Sequence, residues 1–416
     1  MNKPTGKEVD PRDRALGQRV AKLRKERGMT QQELAARLNG RSAGWMSQVE
    51  RGIQPVRRVD VLQEIADALG VSIQMLDPSS PIFTPSVPPV TEATNDLDGA
   101  RTVISGHPAI GLITGVEESG AIDLGALEES VEQIWEYTHR NAYPEISETI
   151  AALLPQLERA VRTVPAPDRP VAYRNLARAY QALAAAFARQ GDSRSSWVSA
   201  DRAVAAGERS GDIFLVHAGI FRMVHAFVRL GHNQEAEHAV TEAVAALQRR
   251  ADLPPEGLSV LGSLHLAKAL VHARSGQRSE ARAELESARR VAEQIGEDRN
   301  DYNLEFGPTN VMIQTVSTAL DLGDAGEALD IGQSIDAASL SPERQARLLM
   351  DLGRAHAQRR HTPDAVECLL RAEEMSPDLV RQHSAARAAI RELLLVSGPK
   401  ASADLVALAA RASAAE

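Results

Sequence analysis

Between residues 31 and 58 the sequence concentrates side chains that can form hydrogen bonds with the phosphates and base edges of a nucleic acid. The candidate residues are Gln31, Arg41, Ser42, Ala43, Gly44, Trp45, Ser47, Gln48, Arg51, Arg57 and Arg58. An amide side chain can form two hydrogen bonds with an adenine edge, so Gln48 is the candidate for reading sequence. Guanidinium groups suit phosphate oxygens, so the arginines are expected to position the protein without specifying a base.

Two short helices joined by a tight turn are expected to position these side chains. Thr30 and Glu33 form a capping box, in which each side chain accepts a hydrogen bond from a free backbone N–H at the helix start. Asn39-Gly40 ends the first helix, because both residues tolerate the left-handed backbone of a sharp turn. Ser42 can cap the second helix, which ends at Gly52. This pattern predicts a helix-turn-helix.

Charge is divided unevenly between this segment and the rest of the chain. The whole sequence of 416 residues has a formal net charge of −9, yet residues 12–58 contain twelve Lys/Arg and only four Asp/Glu. The segment therefore carries +8, which leaves −17 on the remainder. A basic module on an acidic body is the pattern expected of a small DNA-binding head.

Three further helices are expected around the helix-turn-helix, at about 13–27, 58–69 and 71–76, which gives a five-helix domain over residues 13–77. This domain resembles the Cro/C1-type (XRE-family) DNA-binding domain of bacterial and phage repressors. The resemblance rests on the segments LRKERGMTQQELAARL, MSQVERG and LQEIADALGVS. It implies that Arg24 and Glu50 form an internal ion pair that braces the first helix against the third.

The resemblance also implies phosphate contacts for Gln31 and for the stretch that contains Arg57 and Arg58. One segment departs from the family pattern. Residues 39–42 read Asn-Gly-Arg-Ser, one residue longer than the usual Gly-Val-Ser, so the tilt of the following helix stays open. Trp45 either touches a thymine methyl group or packs on a backbone sugar or the domain surface, and the sequence favours neither alternative.

Proline-rich chain separates this domain from the remainder. Residues 1–12 are polar and are expected to be disordered, and residues 78–122 are expected to form a linker, because its prolines deny it a helix. Within the linker, the apolar stretch 103–116 is interrupted by glycine and proline. It is expected either to dock on the body as a strand-like segment or to dock as part of the linker.

Residues 123–416 show a helical repeat. A glycine turn followed by an alanine-bearing helix recurs with spacings of 40, 45, 47 and 38 residues. The turn positions are Gly191, Gly231, Gly276, Gly323 and His361. The pattern resembles the tetratricopeptide repeat, whose period is nearer 34 residues. With only 3% aromatic residues, the chain is predicted to be all-α, with an α-solenoid of about fourteen helices after the linker.

The order of head, linker and repeat body resembles the peptide-sensing quorum regulators of Gram-positive bacteria and many actinobacterial regulators. The resemblance implies a homodimeric transcriptional regulator that binds a double-stranded DNA operator, with a peptide or small-molecule effector in the groove of the solenoid. The groove candidates are Asn175, Arg178, Arg222, His225 and Asn310. Two alternatives remain open, namely a protein partner in the groove with no small ligand, and an antitoxin-type autorepressor.

Motifs of other function classes were not found in the sequence. It contains no phosphate-binding glycine loop, no G-x-S-x-G and no H-E-x-x-H, so neither an enzyme nor a cofactor is expected. His217 with His225, and His356 with His361, are expected to be ordinary histidines, because no carboxylate or cysteine completes a metal site around them. A single cysteine, Cys368, and no stretch of about 18 apolar residues predict a cytoplasmic protein without a membrane span.

Overall fold

The computed structural model describes residues 11–38, 41–56, 59–69, 71, 76, 96–106, 114, 122–338 and 340–414. These residues form twenty α-helices and three short 3-10 helices, and none of them lies in a named strand. The predicted all-α class is therefore confirmed for this part of the chain. The chain divides into two compact units, a head (Met1–Glu92) and a body (Ala93–Glu416).

The head contains four described helices, α1 (Pro11–Glu26), α2 (Gln31–Ala36), α3 (Ala43–Glu50) and α4 (Val59–Leu69). They surround one apolar core, to which Leu34, Met46 and Ile65 contribute fully buried side chains. The predicted fifth helix and the Asn39-Gly40 turn fall largely outside the described residues.

The body begins with a short helix, α5, and continues in antiparallel pairs. Its first half consists of α5 (Asp98–Ser105), α6 (Leu124–Arg140), α7 (Tyr143–Thr163), α8 (Arg169–Arg189), α9 (Ser193–Ser210), α10 (Ile213–Leu230) and α11 (Asn233–Gln248). Its second half consists of α12 (Pro255–Arg274), α13 (Arg278–Ile295), α14 (Pro308–Asp321), α15 (Ala325–Gly332), α16 (Pro342–Gln358), α17 (Thr362–Met375), α18 (Pro377–Gln382), α19 (Ser384–Ser397) and α20 (Ala403–Arg411). Small side chains allow close helix approach throughout, since Ala203, Ala236, Ala281 and Ala328 are all fully buried.

A recurring turn joins the two helices of five successive pairs, from α8–α9 to α16–α17. In each turn one residue has a positive φ, and the next residue donates its backbone N–H to the carbonyl five positions earlier, at 2.8 or 2.9 Å. This is the Schellman geometry, which satisfies a free carbonyl at the end of the first helix. The residues with positive φ are Gly191, Gly231, Gly276, Gly323 and Arg360.

The predicted turn positions are thus confirmed at the four glycines. The fifth position differs by one residue, because Arg360 adopts the left-handed backbone and His361 is the N-cap of α17. Without a glycine to mark it, the left-handed residue cannot be distinguished in the sequence from its neighbour.

Residues 98–105 lie within the predicted linker, but in the structure they form helix α5 of the body. Leu97, Ala100 and Ile104 are buried in the first core of the body, and their spacing places them on one helical face. Arg101 anchors the helix through an ion pair with Asp192, in which Nε lies 2.8 Å from Oδ2. Most of the apolar stretch 103–116 falls outside the described residues.

The described part of the body curves until early and late pairs meet. The first helices α8, α10, α12, α14 and α16 contact one another in succession. Beyond them, the side-chain amide of Asn141, after α6, donates to the hydroxyl of Ser376, after α17, at 3.3 Å. Residues from widely separated pairs therefore face a common interior.

Helix α10 bears on the expectation that the sequence contains no stretch of about 18 apolar residues. Among the described residues, this helix alone is long and apolar enough to cross a membrane, with a mean hydropathy of 1.5 over 18 residues. In the structure it packs between α9 and α11, and 44% of it is buried inside the body. Its apolar character is accounted for by these helix contacts.

Candidate functional site

Side-chain caps fix the two helices that carry the candidate nucleic-acid contacts. The Thr30 hydroxyl accepts the backbone N–H of Glu33 at 3.1 Å, and the Glu33 carboxylate accepts the backbone N–H of Thr30 at 2.7 Å. The predicted capping box is therefore confirmed. Ser42 caps α3 as predicted, since its hydroxyl accepts the backbone N–H of Trp45 at 3.2 Å.

A buried ion pair braces α3 against α1. Two nitrogens of Arg24 donate to the two carboxylate oxygens of Glu50 at 2.5 and 2.9 Å, as the resemblance implied. The Gln31 amide donates to the same carboxylate at 2.7 Å. Burial acts to raise the pKa of Glu50, but the hydrogen bonds from Arg24 and Gln31 outweigh it and hold that pKa below its ordinary value.

The outer face of α3 is open to solvent. Met46 and Val49 point into the core, whereas Gly44 and Gln48 are exposed and Ala43 and Ser47 are half-buried. Arg51, which follows the helix, is also exposed. Small side chains around one exposed amide leave room for a base edge to approach Gln48.

Trp45 and Arg41 form a stacked pair beside this face. The Arg41 guanidinium lies over the indole ring, 4.5 Å from its centroid, which is a cation–π contact. Trp45 is half-buried and packs against the head core. The stack occupies one indole face, and the two alternatives for Trp45 on DNA stay predictions.

Three of the predicted phosphate contacts, Gln31, Arg57 and Arg58, are not seen as free side chains in the part of the chain that the structure describes. Arg57 and Arg58 lie outside the described residues, so their roles stay predictions. Gln31 is hydrogen-bonded to Glu50, so its phosphate contact would use the other hydrogen of its amide or a rearrangement of that side chain.

Sequence reasoning missed Ile53, an exposed apolar residue directly after the left-handed Gly52, which follows α3.

In the body, Arg222 is the central charged residue of the interior. Its guanidinium stacks over Trp135, 4.8 Å from the ring centroid, and donates to the carbonyls of Tyr302 and Asn303 at 3.2 and 3.1 Å. Its Nε is buried without a hydrogen-bond partner among the described residues. Burial, followed by the charges of Arg189 and Arg344, lowers the pKa of Arg222 to about 9.

Arginines from three helices surround it. We call the interior arginine cluster the set Arg189, Arg222, Arg229, Arg344 and Arg347. Arg189 donates to the carbonyl of Thr138, and Arg229 donates to the carbonyl of Ala188 at 2.5 Å. Among the described residues, neither of these two arginines nor Arg222 has a carboxylate partner.

Two carboxylates offset part of this charge. Glu343 accepts from Arg347 at 2.8 Å, and Glu305 accepts from Arg344 at 2.8 Å. Burial acts to raise the pKa of Glu343, but the charges of Arg347 and neighbouring arginines outweigh it and hold that pKa well below its ordinary value. The buried Asp351, which is itself paired with Arg354, adds a third carboxylate near Arg347. The arginines of the interior still outnumber its carboxylates, which leaves an excess of positive charge.

The five predicted groove residues fall into three separate sets of contacts. Arg222 and His225 lie together in the interior, where burial and then the charges of Arg229 and nearby arginines lower the pKa of His225 to about 3. Asn175 donates to the carbonyl of Leu124 at 3.4 Å, and Arg178 forms ion pairs with α6. Asn310 is buried in the first turn of α14, and its Oδ1 has no described hydrogen-bond partner.

The other members of the interior arginine cluster were missed by sequence reasoning. A signal for them exists in the sequence, because Arg222 and Arg229 are seven residues apart on an otherwise apolar helix. Arg344 and Arg347 are three residues apart on α16. Such spacings place the charges on one helical face, and a charge on an apolar helix marks a polar interior.

Comparison with known proteins identifies one of the two units. Residues 15–78 match the family model described as "Helix-turn-helix domain", so the head is a helix-turn-helix domain. The chain is also similar to the crystal structure of PlcR from Bacillus thuringiensis in complex with the peptide PapR7 and DNA. That similarity has 14% sequence identity and a TM-score of 0.37, and covers 84% of this chain and 98% of that chain. Among curated proteins, none matches this chain.

Proposed function

We propose that this chain, whose head is a helix-turn-helix domain, is a cytoplasmic, sequence-specific DNA-binding transcriptional regulator. The observation that carries the proposal is the outer face of α3. That helix is fixed by the Ser42 cap and the Arg24–Glu50 ion pair, and it presents exposed Gln48 between small residues. A rigid helix with a free amide at its centre suits the edge of a base in the major groove.

The surrounding charge supports the same proposal. Arg41 and Arg51 lie just before and just after α3, and both are exposed. Among the described residues, neither forms an ion pair with a carboxylate. With +8 on residues 12–58, the head can attract phosphate over several ångströms while the acidic body limits unspecific coating of DNA.

Substitutions on α3 and beside it test this proposal. Gln48→Ala should weaken binding to a selected operator by about 1–3 kcal/mol and leave binding to random DNA unchanged, because only a base contact is lost. Arg51→Ala should weaken binding to both DNAs and lower the salt slope by about one, because a phosphate contact is lost. Fluorescence anisotropy at several salt concentrations measures both effects.

A matched control is Gln32→Ala, since Gln32 is an exposed amide on α2 and outside α3. It should bind operator like the unaltered chain. Equal affinity of the intact protein for operator and random DNA would refute sequence-specific recognition.

For the body, we propose that the interior arginine cluster binds an anionic signal, a peptide or small molecule with at least one carboxylate, in a homodimeric regulator. Arg189, Arg222 and Arg229 are held by backbone carbonyls, so their charges are available to a ligand carboxylate. A carboxylate beside the buried Arg222 would offset its cost of desolvation. The ligand alters DNA binding only if it favours one arrangement of the dimer over another.

The test is native mass spectrometry of the full chain purified from its own host, followed by operator binding with the retained molecule restored. Arg222→Met should abolish retention, whereas Arg290→Gln, which changes an exposed arginine on α13, should not. An uncharged retained molecule, or retention unchanged by Arg222→Met, would contradict the anionic-signal proposal.

A second candidate for the body is a protein partner, favoured by an apolar cleft between α13, α14 and α15. The cleft has a volume of about 400 Å³, and its floor includes Leu285, Val311 and Met312. Such a cleft suits the apolar face of a partner's amphipathic helix. If a protein is retained in place of a small anion, and Met312→Glu but not Arg222→Met releases it, this second candidate replaces the first.

A further inference from the structure

The recurring turn of the body brings two side chains together at a fixed separation. In the turn between α16 and α17, the backbone N–H of His361 donates to the carbonyl of His356 at 2.9 Å. Arg360, with φ of 61°, reverses the chain so that the two imidazole rings lie 5.6 Å apart between centroids. The side chain of the residue after the left-handed position, here His361, therefore lies beside the last turn of the preceding helix.

A carboxylate completes this cluster. The ligand atoms of His356, His361 and Asp364 all lie within 4.8 Å of one another. Asp364 lies three residues beyond His361, in the first turn of α17. The expectation that no carboxylate accompanies this histidine pair is therefore wrong, because the N-terminal turn of α17 carries Asp364 back towards both rings.

The separation of the two nitrogens is informative about what can lie between them. The Nδ1 atoms of His356 and His361 are 3.4 Å apart. Two imidazole nitrogens at about 2.0–2.1 Å from one Zn²⁺, at a tetrahedral angle, would be about 3.4 Å apart. A direct hydrogen bond between the rings is the competing explanation, and at 3.4 Å it would be long and weak.

We propose that His356, His361 and Asp364 bind a divalent transition-metal ion, with Zn²⁺ as the best fit, and leave the fourth position to water or an external ligand. Two imidazoles and one carboxylate are a ligand set typical of zinc and its neighbours. His361 and Asp364 are exposed and His356 is half-buried, so an ion can enter from solvent. The ion would join the end of α16 to the start of α17.

Other turns of the same geometry supply matched controls. His232 occupies the position of His361 in the turn after α10, but its neighbour five residues earlier is Phe227, 6.3 Å away between ring centroids. In the turn after α12, His272 stands beside Gln277, and Glu280 occupies the position of Asp364. One substitution, Gln277→His, would therefore reproduce the three ligand types in a second turn.

Co²⁺ titration of the full-length protein, followed by visible absorption, tests the proposal because tetrahedral Co²⁺ has a diagnostic spectrum. One Co²⁺ per chain should give tetrahedral bands, and excess Zn²⁺ should displace them. His361→Ala and Asp364→Asn should each weaken binding by about tenfold or more, at unchanged helical circular dichroism. His232→Ala should have no effect, and Gln277→His should add a second equivalent.

Absence of a metal-dependent spectrum in the unaltered chain would overturn the proposal. So would binding of the same affinity in His361→Ala and in the unaltered chain, since the ion would then be held elsewhere. Because both altered ligands are exposed, neither substitution disturbs the helix packing on which these readouts depend.

Discussion

The head and the body use arginine in opposite ways. In the head, one buried arginine, Arg24, is neutralised by a bidentate carboxylate, while Arg41 and Arg51 remain exposed beside α3. In the body, several exposed arginines are paired with acids, as Arg289 is with Glu286. Three members of the interior arginine cluster instead donate to backbone carbonyls, namely Arg189, Arg222 and Arg229. Among the described residues, the head therefore presents arginines without a carboxylate partner beside α3, whereas the body also holds such arginines around its interior.

The location of these arginines limits the kind of anion that each unit can bind. A polyanion such as DNA binds to exposed positive charge, which the head presents at Arg41 and Arg51. A small carboxylate gains most where charge is desolvated, which is the environment of Arg222. The contrast also predicts that the two units respond differently to substitution and to acid.

The largest expected effect comes from breaking the buried pair of the head. Glu50→Gln leaves Arg24 buried without a counter-charge, and such a change typically costs about 3–5 kcal/mol. Peptides from α1 and α3 should exchange their amide hydrogens faster in the intact chain, while peptides from the body should not change. Hydrogen exchange followed by mass spectrometry measures both.

Glu26→Gln is the matched control, because Glu26 is exposed and lies 3.9 Å from Lys22. It should change exchange in the head very little. If Glu50→Gln leaves α1 and α3 as protected as before, the ion pair does not brace the head.

Acid should affect the body before the head. In the folded body the pKa values of His225 and His383 are lowered by burial and nearby arginines to about 3, from the ordinary 6.5. The unfolded chain therefore binds more protons between those values, and the body loses stability as pH falls below 6.5. The pKa of Glu50 is lowered from 4.5, so its contribution is present above pH 4.5 and is lost only as pH falls through its folded value.

Calorimetric unfolding at pH 7.5 and pH 5.5 checks this order. The body transition should move to lower temperature at pH 5.5 while the head transition stays in place. His225→Gln should reduce the shift of the body, and His238→Gln, which alters an exposed histidine on α11, should not. A larger acid shift in the head than in the body would contradict the predicted order.

A smaller effect is expected from the cap of α3. Ser42→Ala removes the hydroxyl that accepts the Trp45 N–H, at a cost of about 1 kcal/mol, and should weaken operator binding to a similar extent. Gln32→Ala, on α2, retains the cap and is the control. If Ser42→Ala and Gln32→Ala bind operator equally, the cap does not position α3.

Much of the head, and the turns of the body, could be predicted from the sequence because their determinants are local. Each determinant involves residues within five positions of one another, as in the capping box of Thr30, the Ser42 cap and the glycine turns of the body. Such signals survive in a single sequence because hydrogen bonding and backbone geometry fix them. The Arg24–Glu50 pair, by contrast, was implied by resemblance and is confirmed by contact.

The interior arginine cluster could not be predicted in the same way. Arg189 and Arg347 are 158 residues apart in the sequence, and they approach only because the body curves back on itself. Helix α5 was not predicted because it is short and is followed by the glycines and proline of 103–116, which are typical of a linker. Its only local signal is the apolar spacing of Leu97, Ala100 and Ile104. The Asp364 carboxylate was overlooked although it is only three residues beyond His361.

Selection of bound sequences from a pool of random duplex DNA by the full-length protein tests the central claim most directly. Specific recognition predicts one enriched motif, arranged for a homodimer as two half-sites separated by about 10 base pairs or a multiple. Its affinity should exceed that for random DNA by about 10³-fold or more at physiological salt, and Gln48→Ala should reduce that ratio. A pool that remains unenriched after repeated rounds would contradict the claim that this chain reads DNA sequence.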